Sequence, residues 1–145
     1  MSSFPSGTGA RTFSEWVANH VGLEQLLGLS GFLCPDFFEV DGHLFWDRYV
    51  AERLEQIHPL HTPFGDDPAT VERYFNTINL GEFFLASADD AVRRQELLEA
   101  FGYILCHFWG QALRVRFPER QYQFEIGSDL FKEEGLCLTF WRVRP

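Results

Sequence analysis

Lysine is almost absent: of 12 basic residues only Lys132 is a lysine, and the rest are arginine. That imbalance reads first as a nucleotide-composition bias, and second as a use of planar, bidentate donors. Cysteine is scarce as well. Cys34, Cys106 and Cys137 are three in number and widely spaced, which excludes a disulfide framework and a paired-cysteine zinc motif. The expectation is three reduced, buried thiols and a cytoplasmic address. Long apolar runs are missing too. The longest, Ala100 to Leu113, is interrupted by His107 and Gln111, and at about 14 residues it has the length of a core helix, not of a membrane span.

The first ten residues have no basic stretch followed by an apolar one, so residues 1–11 read as a flexible tail and not as a signal peptide. A phosphate-binding glycine loop is lacking: Ser6-Gly7-Thr8-Gly9 has no strand ahead of it, and without a strand-to-helix turn the helix dipole is not available to an anion. Residues 12–145 show no repeat, linker or low-complexity run, and read as one globular domain.

Acid and aromatic side chains are what the chain has in quantity. The net charge is −9, with 16 acidic and 6 basic residues in positions 1–112 (−10) and 5 and 6 in positions 113–145 (+1). Such a field repels nucleic-acid phosphates and anionic membranes and favours encounter with a basic protein. Sixteen Phe, four Trp and four Tyr in 145 residues exclude a disordered or collagen-like chain. A chain of this size buries roughly 68–70% of its unfolded surface without a metal or disulfide staple.

Thr12 and Glu15 form a capping box ahead of a helix that should carry Trp16, Val17, Val21, Leu23, Leu26 and Leu27 inward, with Gly22 as a point of division and Gly28 to Gly31 as its end. Asp41-Gly42 lies between Phe37–Val40 and His43–Trp46. It predicts a two-residue hairpin with Val40 opposite His43, Glu39 opposite Leu44, Phe38 opposite Phe45 and Phe37 opposite Trp46. Asp47 should cap a helix over 48–57, with Tyr49, Val50, Leu54 and Ile57 at helical spacing, and Asp67-Pro68 should open another over 69–78. After Ser87, Asp89 and Asp90 comes the most periodic segment, the central helix. Leu97, Phe101, Ile104, Leu105, Phe108, Ala112 and Leu113 form one face; Gly102, Cys106 and Gly110 make a stripe of small residues on another. Residues 121–126 and 136–143 alternate as a second hairpin. The sequence therefore predicts an α+β fold: an antiparallel sheet built from two β-hairpins packed on four to five helices, one of them central and hydrophobic.

No catalytic, metal-ligating or cofactor-binding residue stands out. His58 and His61 are three apart, but Pro59 breaks the helix on which such a pair would work as ligands. Cys34 and His43 could be imagined as a nucleophilic pair, yet the neighbours of Cys34 are apolar or acidic and do not favour a thiolate. Cys106-His107 sits in the most hydrophobic helix, where a buried polar side chain serves packing first. Glu39 and Asp41 are a carboxylate pair of the kind any acidic protein offers.

Two surfaces remain as candidates. Asp66, Asp67, Asp89 and Asp90 are acidic pairs that could face a cationic partner. Arg114, Arg116, Arg142 and Arg144, with Trp46 and Trp141, could form a basic and aromatic patch if the fold joins them. In size, acidity and aromatic content the chain is similar to the small immunity proteins that bacteria make to neutralise basic toxins, a likeness of format that covers no aligned segment. The first expectation is a small cytoplasmic protein that masks a basic protein partner and binds neither nucleic acid nor membrane. The alternative is a small-ligand protein or enzyme with an aromatic pocket between the sheet and the central helix, near Tyr103, Cys106 and His107. A homodimer through the small-residue stripe or a hairpin edge is a third.

Overall fold

The computed structural model describes residues 15, 19–57, 59–84 and 95–145. The chain forms two compact units, Met1–Cys34 and Pro35–Pro145. In the first unit, helix α1 spans Leu23–Leu33. It starts at Gly22, whose N–H donates to Gln25 Oε1 at 2.9 Å, so this glycine divides the predicted helix. Gly28 and Gly31 do not end it. Neither takes a left-handed φ, and the helix runs on until Pro35 forces the residue before it out of helical geometry. Leu23, Leu26 and Leu27, expected inside, are exposed, because no described element of this unit packs on α1. The Thr12 cap, Trp16 and Val17 lie outside the described residues.

In the second unit, strands β1 (Phe38–Val40) and β2 (His43–Phe45) pair in the expected register, Phe38 with Phe45, Glu39 with Leu44 and Val40 with His43. Asp41 and Gly42 take left-handed φ values of 53° and 81°, as a two-residue hairpin turn requires. Asp47 caps helix α2 (Arg48–Leu54) by accepting from Tyr49 N and Val50 N. Ala51 and Leu54 face inward, while Tyr49 and Ile57 are exposed. Asp67 caps helix α3 (Pro68–Phe75), accepting from Thr70 N. This helix stops short of the predicted 78. Its place is taken by strand β3 (Ile78–Asn79), which pairs with β5 through Ile78–Leu138 and Asn79–Cys137, followed by a 3-10 turn over Leu80–Phe84. Helix α4 is Gln95–Arg116, and β4 (Gln121–Ser128) pairs with β5 (Leu136–Val143) along its whole length.

The α+β class is as expected, but the hairpins do not share a sheet. One is a two-stranded sheet, β1-β2; the other belongs to a three-stranded sheet in the order β3-β5-β4. Two polar side chains of α3 explain the separation. Asn76 Oδ1 accepts from Trp46 N, and its Nδ2 donates to Leu44 O and Phe140 O. Glu72 accepts from Leu44 N on one side and Arg142 N on the other. The edges of β2 and β5 are thus satisfied by helix side chains where a strand would otherwise sit, and both residues are buried, at 1% and 0% exposure. Buried backbone groups demand such partners.

Helix α4 packs through Gly102, Leu105, Trp109 and Leu113. Of the predicted face only Leu105 and Leu113 are buried, and Leu97 and Phe108 are exposed. The buried stripe is set by Gly102: a β-carbon there would meet Leu80 Cδ1 and Ile126 Cδ1 at 3.0 Å each, so glycine lets the helix lie against the sheet. Trp109 fills the space about two turns on, edge-to-face with Phe37 and Phe140 and stacked on Trp46 at 5.5 Å.

Candidate functional site

The turn after α4 is closed by Phe117 N donating to Leu113 O and Arg120 N to Phe117 O. It sends β4 back alongside the C-terminal half of the helix. Between them opens a cleft of about 520 Å³, lined on the helix side by Cys106, Gly110, Leu113 and Arg114, and on the strand side by Gln121, Tyr122, Gln123 and Phe124. Pro118 and Arg120 wall the end next to the turn. Gly110 keeps it open. A β-carbon at this position would stand 3.8 Å from both Arg114 Nη2 and Phe124 Cε2, so any larger side chain would fill the space between guanidinium and ring.

Among the described residues, two cations and no acid line this cleft. Arg120 Nη1 donates to Glu39 Oε1 at 2.7 Å and to the Tyr122 hydroxyl, and its guanidinium lies 4.2 Å from the Phe117 ring centre. Arg114 has neither an ion pair nor a hydrogen-bond partner among the described residues. Its charge is available. Cys106 offers no nucleophile: burial pushes its thiol up to about 11, so it stays protonated at neutral pH.

The alternative pocket expected from the sequence was placed near Tyr103, Cys106 and His107, and the cleft takes in one of these three. Cys106 lines it, while Tyr103 and His107 are on the exposed side of α4. The stripe of small residues is used inside the chain, with Gly102 against Leu80 and Ile126 and Gly110 opening the cleft.

The candidate basic and aromatic patch is dispersed. Arg116 Nη1 donates to Phe37 O, and Trp46 stacks on buried Trp109. Trp141 lies against the Arg73 guanidinium, 4.9 Å from its ring centre, with Glu125 as the second partner of Arg73. Arg142 gives its N–H to Glu72. Arg144 grips Glu72 with two parallel bonds, Nη1 to Oε1 at 2.8 Å and Nη2 to Oε2 at 3.1 Å.

Of the acidic pairs, Asp66 and Asp67 are exposed and serve their own loop. Asp66 bonds the ring of His61 at 3.0 Å and accepts from Thr62 N; these bonds hold its carboxyl below the usual range. Asp67 is held low by its bonds to Thr70. Asp89, Asp90 and His58 lie outside the described residues. Cys34 is exposed in the first unit. Among the described residues no three His, Cys, Asp or Glu side chains gather as a metal would need, and no helix is long and apolar enough to cross a membrane.

Sequence reasoning did not single out Glu72, a charge buried at 1% exposure. His43 Nδ1 is buried without a hydrogen bond, 3.9 Å from Glu72 Oε2. Loss of solvent lowers the proton affinity of this imidazole below the ordinary 6.5; Arg144 adds to that, and Glu72 and Asp41 oppose it. A base whose folded pKa is lowered takes up its proton first in the unfolded chain. Its contribution to stability is therefore full above about pH 6.5 and declines as pH falls below that value. Replacing His43 with Gln should flatten the loss of stability as pH falls below about 6.5 in urea melts; an unaltered slope would show that other groups govern it.

No known protein family, characterised protein or solved structure matches this chain.

Proposed function

We propose that this is a binding protein that takes an anionic ligand with an apolar body in the cleft between α4 and β4. The observation that carries this reading is Arg114, a guanidinium without an acidic partner among the described residues, in a cleft whose other lining residues are Arg120, already paired with Glu39, the Cys106 thiol, and aromatic, aliphatic and amide groups. Apolar walls with few convergent polar groups are what small-molecule sites have in common. An arginine presents a planar fork that matches a carboxylate or phosphate.

The test uses 3-phenylpropionate and its neutral analogue 3-phenylpropanol, followed by backbone amide NMR shifts. The acid should perturb Gly110 and Gln121–Phe124 in a saturable way, and the alcohol should bind more weakly. Arg114→Met should weaken the acid by roughly ten- to a hundredfold, the range of a lost charge-assisted hydrogen bond. Gly110→Leu should fill the cleft and abolish both. Equal binding of acid and alcohol, or indifference to Arg114→Met, would rule the anion out.

Masking of a basic protein is the second reading, favoured by a different observation. Glu133, Asp129 and Glu82 all act on the Cys137 thiol, which burial first and these charges next push up to about 11. Acid is thus gathered where Gly127 pairs with Cys137, at the closed end of the β4-β5 hairpin and away from Arg114 and Arg120. A basic protein retained from the native host's lysate at low salt and released at moderate salt would support it. Neutralising Glu82, Asp129 and Glu133 together should then slow that association; an unchanged on-rate would count against it.

A further inference from the structure

We infer that the occupant of the α4-β4 cleft is the C-terminal end of an extended peptide, added as a strand to the free edge of β4 with its terminal carboxylate on Arg114. This rests on the anion-binding reading of the cleft and names its ligand class. The first observation is the position of β4. It is the outer strand of the order β3-β5-β4 and pairs with β5 alone among the described residues, over eight residues. The second is which residues line the cleft. Gln121, Tyr122, Gln123 and Phe124 are consecutive and all four line it, although neighbours along a strand point to opposite faces. A cavity touched by both sets is not confined to one face of β4 and reaches its main-chain edge, while Val143 of β5, opposite Gln121, lines it as well.

That edge carries none of the usual guards. Natural edge strands protect themselves with lysine, proline or bulges. Gln121–Ser128 has no lysine and no proline, its pairing with β5 runs without an extra residue, and its one charge, Glu125, is held by Arg73. Addition of a strand to such an edge is a recurrent way of binding peptides, in which main-chain hydrogen bonds give the affinity.

Charge and shape choose the peptide's end. Arg114 Nη2 lies over Gly110 opposite the Phe124 ring, and Pro118 and Arg120 also line the cleft, toward the turn, so a strand added along β4 meets the guanidinium before it reaches that turn. A chain that stops carries a carboxylate. The two cations and the absence of acid among the described lining residues complement it, with Arg114 the one that has no partner among the described residues.

The probe is a pool of random hexapeptides with free C-termini, passed over the immobilised full chain beside the same pool amidated at the C-terminus. The free-acid pool should yield retained sequences and the amidated pool should lose them by about ten- to a hundredfold, as should the free-acid pool on Arg114→Met. A retained hexapeptide is then N-methylated at each residue in turn. Because strand pairing has a period of two, alternate methyl groups should abolish binding and the ones between should be tolerated. Equal retention of amidated peptides, or methyl groups without alternation, overturns the inference. If no peptide is retained while 3-phenylpropionate still binds with its dependence on Arg114, the peptide is wrong and the anion site stands. If neither binds, both fail.

Discussion

Glu72→Ala is expected to remove about 3–5 kcal/mol of folding stability, the range found when a buried ion pair loses one partner. Four donors converge on this carboxylate: Leu44 N and Arg142 N at 3.0 Å, and both terminal nitrogens of Arg144. Removing it leaves a guanidinium, whose side chain is only 27% exposed, with two carbonyl acceptors but no counter-charge, together with two unpaired main-chain N–H groups from different sheets. The double variant separates these contributions. Where a buried pair binds nothing else, replacing both partners with apolar residues of similar volume is often neutral. Here Glu72→Met with Arg144→Met should remain well below the parent, because the N–H groups of Leu44 and Arg142 still have no acceptor, at about 1–3 kcal/mol each. Urea melts decide it. A loss under about 1 kcal/mol for Glu72→Ala, or full recovery in the double variant, would show that the two sheets are joined by packing and not by this carboxylate.

Glu72 was not visible as such in the sequence. Val71-Glu72-Arg73 reads as the ordinary alternation of a surface helix, and its buried partners are 28 to 72 residues away along the chain. What could be read were the local devices. Asp41-Gly42 fixed the first hairpin to the residue, and Asp47 and Asp67 marked two helix starts, since turns and caps are decided within four residues. The division into two sheets could not be read in this way, because it depends on Asn76 reaching Leu44, Trp46 and Phe140 at once. The cleft was half legible. A pocket between sheet and central helix was expected from Tyr103, Cys106 and His107 and the aromatic excess, and of these three only Cys106 lines the cleft, whereas Arg114 was grouped with Arg142 and Arg144 by charge alone. The fold instead pairs Arg144 with Glu72 and leaves Arg114 in the cleft.

Trp109→Ala should cost a further large amount, about 3–5 kcal/mol, as truncation of a fully buried aromatic does. Its ring has no solvent exposure and touches Phe37 of the segment before β1, Phe140 of β5 and Trp46 after β2. It is therefore the apolar counterpart of Glu72: both bind the two sheets together, one through contacts and one through hydrogen bonds. Counting apolar residues along α4 put Leu97 and Phe108 inside instead, because glycine adds nothing to a hydrophobic pattern. Yet Gly102 is what brings this side of the helix down onto Leu80 and Ile126. The contrast is testable in one series. Phe108→Ala and Leu97→Ala, at 38% and 42% exposure, should each cost far less than Trp109→Ala, and Trp109→Phe should fall between, since a smaller ring keeps part of the edge-to-face contact with Phe140. Were Phe108→Ala as damaging as Trp109→Ala, the face of α4 turned toward the sheets would have to be the one that simple periodicity indicates.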